Sequence, residues 1–114
     1  MNIQIFGVHK SADTRKALRF FAERRVRAHF VDFMEHPASR GELLRFVQRF
    51  GIGMLLDTES KRFEDLGLRY ARMSDASWLE KLVAEPLLLR MPLVRNSNQL
   101  TIGADEKTWK KWME

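Results

Sequence analysis

The chain contains no cysteine among its 114 residues. This absence excludes disulfide bonds, thiolate metal sites, iron–sulfur clusters and a catalytic thiol. The sequence also lacks an apolar run of the length that a membrane-spanning helix requires. Its first residues, Met1–Ile5, have neither the basic start nor the long apolar segment of a secretory signal peptide. From these absences we expect a soluble cytoplasmic protein with no contact to a membrane.

The composition is that of one globular domain. Apolar residues make up 45% of the chain and charged residues 31%, which is too apolar for a disordered protein. A chain of 13.5 kDa is too short for two ordinary hydrophobic cores. We therefore expect a single domain that spans residues 1–114.

Positive charge is concentrated in the first half of the sequence. The 20 Lys and Arg residues exceed the 15 Asp and Glu residues, which gives a net charge of +5. Residues 51–114 are balanced, so the excess lies in residues 1–50, mostly between Lys10 and Arg27. Such a segment is either a solvated helix face or a surface for nucleic acid or an acidic protein. The sequence leaves both interpretations open.

The first third of the chain has the pattern of a strand, a helix and a second strand. An apolar alternation over Asn2–Phe6 ends at Gly7. From Thr14 onward the apolar residues recur at helical spacing, with Asp13 as a candidate cap of that helix. Residues Ala28–Phe33 then form the second strand. A unit of this length predicts two parallel strands with a right-handed connection.

The middle of the chain has a helical pattern. Ser39 and Glu42 form a capping box that predicts the start of a helix, and Gly51 predicts its end. Residues 52–70 have short apolar patches between polar residues, which indicates short helices and turns. A further helix is predicted to end before Pro86.

Two strands and a helix are predicted at the carboxyl end. Leu93–Arg95 and Gln99–Ile102 flank a turn-forming triplet and predict a hairpin, and a helix with Trp109 in its apolar face follows from Asp105. The element order is β-α-β, several helices, then β-β-α. This order predicts an α/β fold of the thioredoxin-like type. Its mixed four-stranded sheet has a helical insertion at about residues 39–85.

Four segments carry a resemblance to a known family. They are Ile5–Ala17, Phe63–Leu68, Pro86–Val94 and Ile102–Asp105. In this order and at these spacings the chain resembles the arsenate reductase (ArsC) and Spx family of thioredoxin-fold proteins over nearly its whole length. The resemblance implies that Pro92 is the cis-proline that faces the active loop of such folds.

The residues that the family uses for chemistry are replaced in this sequence. The resemblance places the family's catalytic cysteine at Ser11 and the second cysteine of Spx-like members at Thr14. It places one oxyanion-binding arginine at Met91, although Arg90 stands one residue earlier. A second arginine falls in the segment of residues 57–59, which is acidic here. We therefore predict no catalytic residue and no active thiol-dependent reductase.

Ser11 has two interpretations that the sequence leaves open. Its hydroxyl caps the first helix, or the exposed N–H groups of that helix terminus bind a small oxyanion. A catalytic pair with His9 is disfavoured, because no third residue orients the imidazole. The candidate anion-binding residues are Lys10, Ser11, Ala12, Asp13, Thr14, Arg15 and, from beside Pro92, Arg90.

These observations favour a protein that acts by binding. We predict a non-catalytic ArsC/Spx-family protein that binds a protein partner or a small anion, with RNA polymerase as the partner that Spx implies. Residues 51–53 and the first helix are the candidate contact surfaces. The alternative is an arsenate reductase-like oxidoreductase that acts without its own thiol. The histidines lack metal-ligand spacing and no nucleic-acid motif is present, so we predict no metal, no cofactor and no direct nucleic-acid binding.

Overall fold

Four strands and six α-helices make up the computed structural model, which describes residues 1–114. The strands are β1 (Ile3–Gly7), β2 (Ala28–Asp32), β3 (Leu93–Asn96) and β4 (Gln99–Ile102). The helices are α1 (Ala12–Glu23), α2 (Arg40–Phe50), α3 (Ile52–Leu55), α4 (Lys61–Asp65), α5 (Asp75–Ala84) and α6 (Glu106–Trp112). A 3₁₀ turn, Pro86–Leu88, lies between α5 and β3. None of the helices combines the length and the apolar character that crossing a bilayer requires.

The strands form one mixed sheet in the order β2-β1-β3-β4. β1 and β2 are parallel, whereas β3 is antiparallel to both β1 and β4. In the registers of β1 with its two neighbours, Ile5 lies opposite Phe30 on one side and Val94 on the other. The predicted mixed four-stranded sheet, with parallel strands joined through α1, is confirmed.

Capping residues set the bounds of α2 as the sequence predicts. The Ser39 hydroxyl accepts a hydrogen bond from the Glu42 N–H at 3.1 Å, and Gly51 ends the helix with a φ of 85°. Residues 51–53 are not a loop throughout, whereas their role as a contact surface stays a prediction. Helix α3 begins at Ile52, and burial of the Ile52 side chain draws this segment into an apolar core.

Residues 1–36 and 91–114 form one compact unit, called the first unit below. Its core is a cluster of buried side chains from β1, α1, β3 and α6. The Trp109 ring of α6 lies 5.3 Å from the Phe20 ring and 5.5 Å from the Phe21 ring of α1, between ring centroids. Its indole N–H donates to the Thr101 hydroxyl of β4 at 2.9 Å. These contacts fix α1 and α6 side by side on one face of the sheet.

Residues 37–90 form a second compact unit, called the second unit below. It contains α2 to α5, and its core includes Leu43, Phe46, Leu79 and Leu82. Three ion pairs lie within it, and they join Arg40 to Glu80, Lys61 to Asp65 and Arg62 to Glu85. That both units fold together as a single domain over residues 1–114 stays a prediction.

Candidate functional site

The loop between β1 and α1 lies in the first unit and contains most of the predicted anion-binding residues. It begins where β1 and β2 both end, and the Phe33 N–H extends their pairing by donating to the Gly7 carbonyl at 2.9 Å. A turn follows, in which the Ser11 N–H donates to the Val8 carbonyl at 3.1 Å. The carboxyl ends of parallel strands are the usual position of binding sites in α/β folds.

Ser11 is the N-cap of α1. Its hydroxyl oxygen accepts a hydrogen bond from the Thr14 N–H at 3.2 Å, and its backbone is extended, as that position requires. The prediction that Asp13 caps the helix is wrong, because α1 begins at Ala12 and Asp13 already lies in its first turn. The N–H groups of Ala12 and Asp13 have no acceptor within the helix and point out of its N-terminus.

Arg15, in the first turn of α1, forms hydrogen bonds to the loop that precedes the helix. Its guanidinium donates to the His9 carbonyl at 2.7 Å and to the Lys10 carbonyl at 3.0 Å. Both acceptors are uncharged, so the positive charge of Arg15 is not neutralised by a carboxylate. The Lys10 side chain is exposed beside it. The loop thus places two cations near the free N–H groups of α1.

The His9 ring packs against the Phe30 ring of β2, with 4.7 Å between the ring centroids. No hydrogen bond joins His9 to the Ser11 hydroxyl, whose oxygen is instead engaged by the Thr14 N–H. Neither His9 nor the other two histidines, His29 and His36, belongs to a group of side chains that could hold a metal ion.

Thr14 is buried directly behind the loop. Its side chain is 0% exposed, and its hydroxyl oxygen has no hydrogen-bond partner. A Cβ atom at Gly7 would overlap the Thr14 side chain, 2.9 Å from Cγ2. Glycine at position 7 therefore permits the close approach of β1 to the first turn of α1.

Arg90 lies in the second unit, in a segment that pairs with the end of α3. Its backbone N–H donates to the Leu55 carbonyl at 2.7 Å, and its guanidinium Nε donates to the Leu56 carbonyl at 3.3 Å. A bridge between Leu56 and Leu89 extends this pairing. The structure brings together residues 10–15 of the predicted site, whereas the association of Arg90 with them stays a prediction.

The acidic segment that follows this pairing is held by local hydrogen bonds. The Asp57 carboxylate accepts from the Glu59 N–H at 3.1 Å, and the Asp57 N–H donates to the Leu88 carbonyl at 2.9 Å. Next to it is a groove of about 630 Å³, which no local sequence pattern predicts. The side chains that line it are Thr58, Glu59, Ser60, Phe63, Glu64 and Arg69.

Pro92 lies at the start of β3, in the first unit. The Met91–Pro92 peptide bond is cis, the isomer that the resemblance implies. The Pro92 ring is buried, and its carbonyl accepts from the Gly103 N–H at 2.8 Å. Met91 supplies no hydrogen-bond donor from its side chain at the position that the resemblance assigns to an arginine.

Two curated proteins are similar to this chain in sequence. The global transcriptional regulator Spx of Streptococcus pyogenes serotype M1 is 31% identical over 85 residues, which are 68% of this chain and 63% of Spx. The arsenate reductase of Escherichia coli is 26% identical over 95 residues, which are 82% of this chain and 67% of the reductase. The alignment therefore spans slightly less than two thirds of Spx.

A solved structure shows the same fold. The arsenate reductase from Vibrio cholerae superposes with a TM-score of 0.83 at 19% identity, over 97% of this chain and 97% of the other. This likeness confirms the thioredoxin-like fold. The sequence profile of the ArsC family matches residues 6–112. The protein belongs to the ArsC family.

Proposed function

We propose that this protein is a non-catalytic ArsC-family member that acts by binding a small oxyanion or a protein partner. The observation that carries the proposal is the complete absence of cysteine. Ser11, at the position that the resemblance assigns to the family's nucleophile, is a helix cap. A serine hydroxyl is a far weaker acid than a thiol and forms no disulfide, so Ser11 cannot carry out thiol-based reduction. The backbone N–H groups at the start of α1 can still bind an anion.

The proposed ligand of the loop is a small oxyanion such as phosphate or sulfate. The unpaired N–H groups of Ala12 and Asp13, with the positive end of the α1 dipole, attract an anion. Lys10 and Arg15 add positive charge to the same loop. The Asp13 carboxylate opposes the ligand from within the first turn, so we expect weak binding that salt screens.

A phosphate titration followed by amide chemical shifts tests this part of the proposal. We expect the shifts to concentrate at residues 11–14, against a sodium chloride titration of equal ionic strength. Asp13→Asn should tighten binding by removing the like charge, whereas Asp75→Asn, in the first turn of α5, is the matched control and should change nothing. Shifts spread evenly over the basic surface would contradict the proposed site.

The proposed protein partner is RNA polymerase, in a transcription-related regulatory role. Its support is the 31% identity to Spx, a global transcriptional regulator. The resemblance to Spx implies RNA polymerase as the partner. Such a partner would place the protein in the cytoplasm, where the sequence analysis expects it. Retention of purified bacterial RNA polymerase on the immobilised protein is the expected result, and equal retention on an unrelated basic protein would contradict it.

A Ser11→Cys variant tests whether the protein lacks reductase activity only because the nucleophile is missing, or also because the oxyanion-binding residues are missing. The new thiol should have a pKa below that of a free cysteine, because the α1 terminus and nearby cations stabilise the thiolate. Arsenate turnover should nevertheless stay absent, since Met91 supplies no donor for the oxyanion. Ser97→Cys, in an exposed turn, is the control for alkylation. Robust turnover by Ser11→Cys would show that the oxyanion clamp is intact.

A further inference from the structure

Helix α6 presents three lysines to solvent. Lys107, Lys110 and Lys111 are exposed and are spaced at i, i+3 and i+4, which places them on one helix face. Trp109 lies on the opposite side, fully buried in the core of the first unit. The burial of Trp109 therefore fixes the direction in which the three ammonium groups point.

Helix α1, which lies beside α6 on the same face of the sheet, also carries cations on its outer face. Lys16 and Arg19 are exposed and three residues apart, so they lie on one face of α1. The opposite face of the helix, with Ala17 and Phe21, is buried.

Arg24 is the C-cap of α1 and contacts Phe20. Its guanidinium carbon is 3.6 Å from the centroid of the Phe20 ring, and its Nη1 donates to the Phe20 carbonyl at 3.0 Å. The Phe20 ring in turn packs against the Trp109 ring of α6. These contacts hold the Arg24 guanidinium on the ring through which α1 contacts α6, and we therefore take the outward-facing cations of these two helices together as one surface.

We call this surface the cationic face and define it as Lys16, Arg19, Arg24, Lys107, Lys110 and Lys111. None of these side chains forms an ion pair, and the partners of Arg24 are an uncharged ring and a carbonyl. The carboxylates on or beside the same two helices are fewer than the cations and are Asp13, Glu23, Asp105, Glu106 and Glu114. Positive charge therefore exceeds negative charge here and is not neutralised within the protein.

We infer that the cationic face docks an acidic segment of a partner protein. This inference rests on the proposal that the protein acts by binding a protein partner, and it adds a surface other than the loop at residues 10–15. Charge complementarity selects the partner, because unpaired ammonium and guanidinium groups attract carboxylates and steer their approach. The Arg24 guanidinium keeps further N–H donors for a carboxylate, and its position is already fixed.

A protein fits this face better than a nucleic acid. Tyr70, the large aromatic side chain that is mostly exposed, lies in the second unit, and the half-buried Trp112 of α6 packs against the core of the first unit. No fully exposed aromatic ring therefore lies among the lysines of α6 to stack on a base.

The test uses a fluorescent Glu- and Asp-rich peptide as the probe, titrated with the full-length protein. The variant Lys107→Gln/Lys110→Gln/Lys111→Gln removes half of the cationic face while retaining good helix formers. We expect it to bind the peptide about tenfold more weakly, which corresponds to the loss of about three modest charge contacts. Lys16→Gln/Arg19→Gln should give a smaller loss of the same kind if the triple variant folds poorly by circular dichroism.

The matched control removes equal charge from the second unit. Arg45→Gln/Arg49→Gln/Arg72→Gln replaces three exposed arginines there and should leave peptide affinity within about twofold of the unchanged protein. Equal weakening by both triple variants would overturn the inference, since peptide binding would then depend only on the net charge of the protein.

Two further outcomes would also overturn the inference. One is tighter binding of a random-sequence DNA duplex than of the peptide, with the same dependence on the α6 lysines. The other is the absence of peptide binding at low ionic strength. If phosphate still shifts the amides of residues 11–14 in that case, the proposed anion site stands and only the cationic face fails.

Discussion

The two units of this protein use charged side chains in different ways. The first unit has 11 Lys and Arg against seven Asp and Glu, whereas the second has nine against eight. Ion pairs within the second unit join cations to carboxylates, but the cations of the cationic face have no carboxylate partner. The second unit is therefore close to neutral, with three of its nine cations in ion pairs, whereas the first unit carries most of the net positive charge.

Two arginines show this difference at the level of single side chains. In the second unit, Arg62 donates two hydrogen bonds to Glu85, at 2.8 Å and 2.9 Å. In the first unit, Arg24 is held in place by the Phe20 ring and carbonyl instead. Both guanidinium groups are ordered by contacts, but only that of Arg24 keeps its charge for an external carboxylate.

The largest effect should come from the core that holds α1 against α6. Trp109→Ala should lower the free energy of unfolding by about 3–5 kcal/mol, because it removes a fully buried ring that packs on Phe20 and Phe21. Trp78→Ala, at a half-buried tryptophan of the second unit, is the control and should cost less. Urea denaturation measures both. Equal losses would contradict the account of the α1–α6 layer.

Two glycines provide the next comparison between the units. Gly7→Ala should destabilise the protein by about 1–3 kcal/mol, because the new Cβ overlaps the buried Thr14 side chain. Gly53→Ala, in α3 of the second unit, meets no atom within 4 Å and should be neutral or slightly stabilising. Thermal denaturation of both variants checks this order. A stable Gly7→Ala variant would show that β1 does not closely approach the first turn of α1.

Ser11 and Ser39 are equivalent caps in the two units, with hydroxyl–amide distances of 3.2 Å and 3.1 Å. Replacement of either by alanine should cost about 1 kcal/mol of stability, the usual value for a lost N-cap. Only Ser11→Ala should also alter the phosphate titration. If both variants leave that titration unchanged, the Ser11 hydroxyl is a cap and nothing more.

The smallest effect concerns acid pH in the second unit. The hydrogen bonds from Arg62 hold the pKa of the Glu85 carboxyl below its ordinary value of 4.5. The stabilisation is therefore full above pH 4.5 and is lost as the pH falls through the folded-state pKa. In urea titrations at descending pH, Glu85→Gln should be less stable than the unchanged protein near neutrality and should converge with it in acid. A difference that is constant across this range would contradict the ion pair's role.

Local sequence signals predicted the elements well, because their causes are local. The hydroxyl of Ser39 and the conformation of Gly51 set the ends of α2 without help from distant residues. The choice between Ser11 and Asp13 as the cap of α1 was not decidable in this way. Both residues cap helices well, and the extended backbone at Ser11 decides between them.

The cationic face was only partly visible in the sequence, because it joins helices that are far apart along the chain. The excess of positive charge pointed to the first helix, whereas residues 51–114 are balanced overall. Lys107, Lys110 and Lys111 join that surface only through the packing of Trp109 against Phe20. The groove beside Phe63 was missed for the same reason, since its lining is set by tertiary packing.

Arsenate turnover with glutathione and glutaredoxin tests most directly the claim that this ArsC-family protein binds without thiol chemistry. The account predicts a rate equal to that of the buffer control, because the chain has no cysteine and the Ser11 hydroxyl caps α1. Turnover above that control, abolished by Ser11→Ala and retained by Ser39→Ala, would contradict it and establish a reductase that acts without its own thiol.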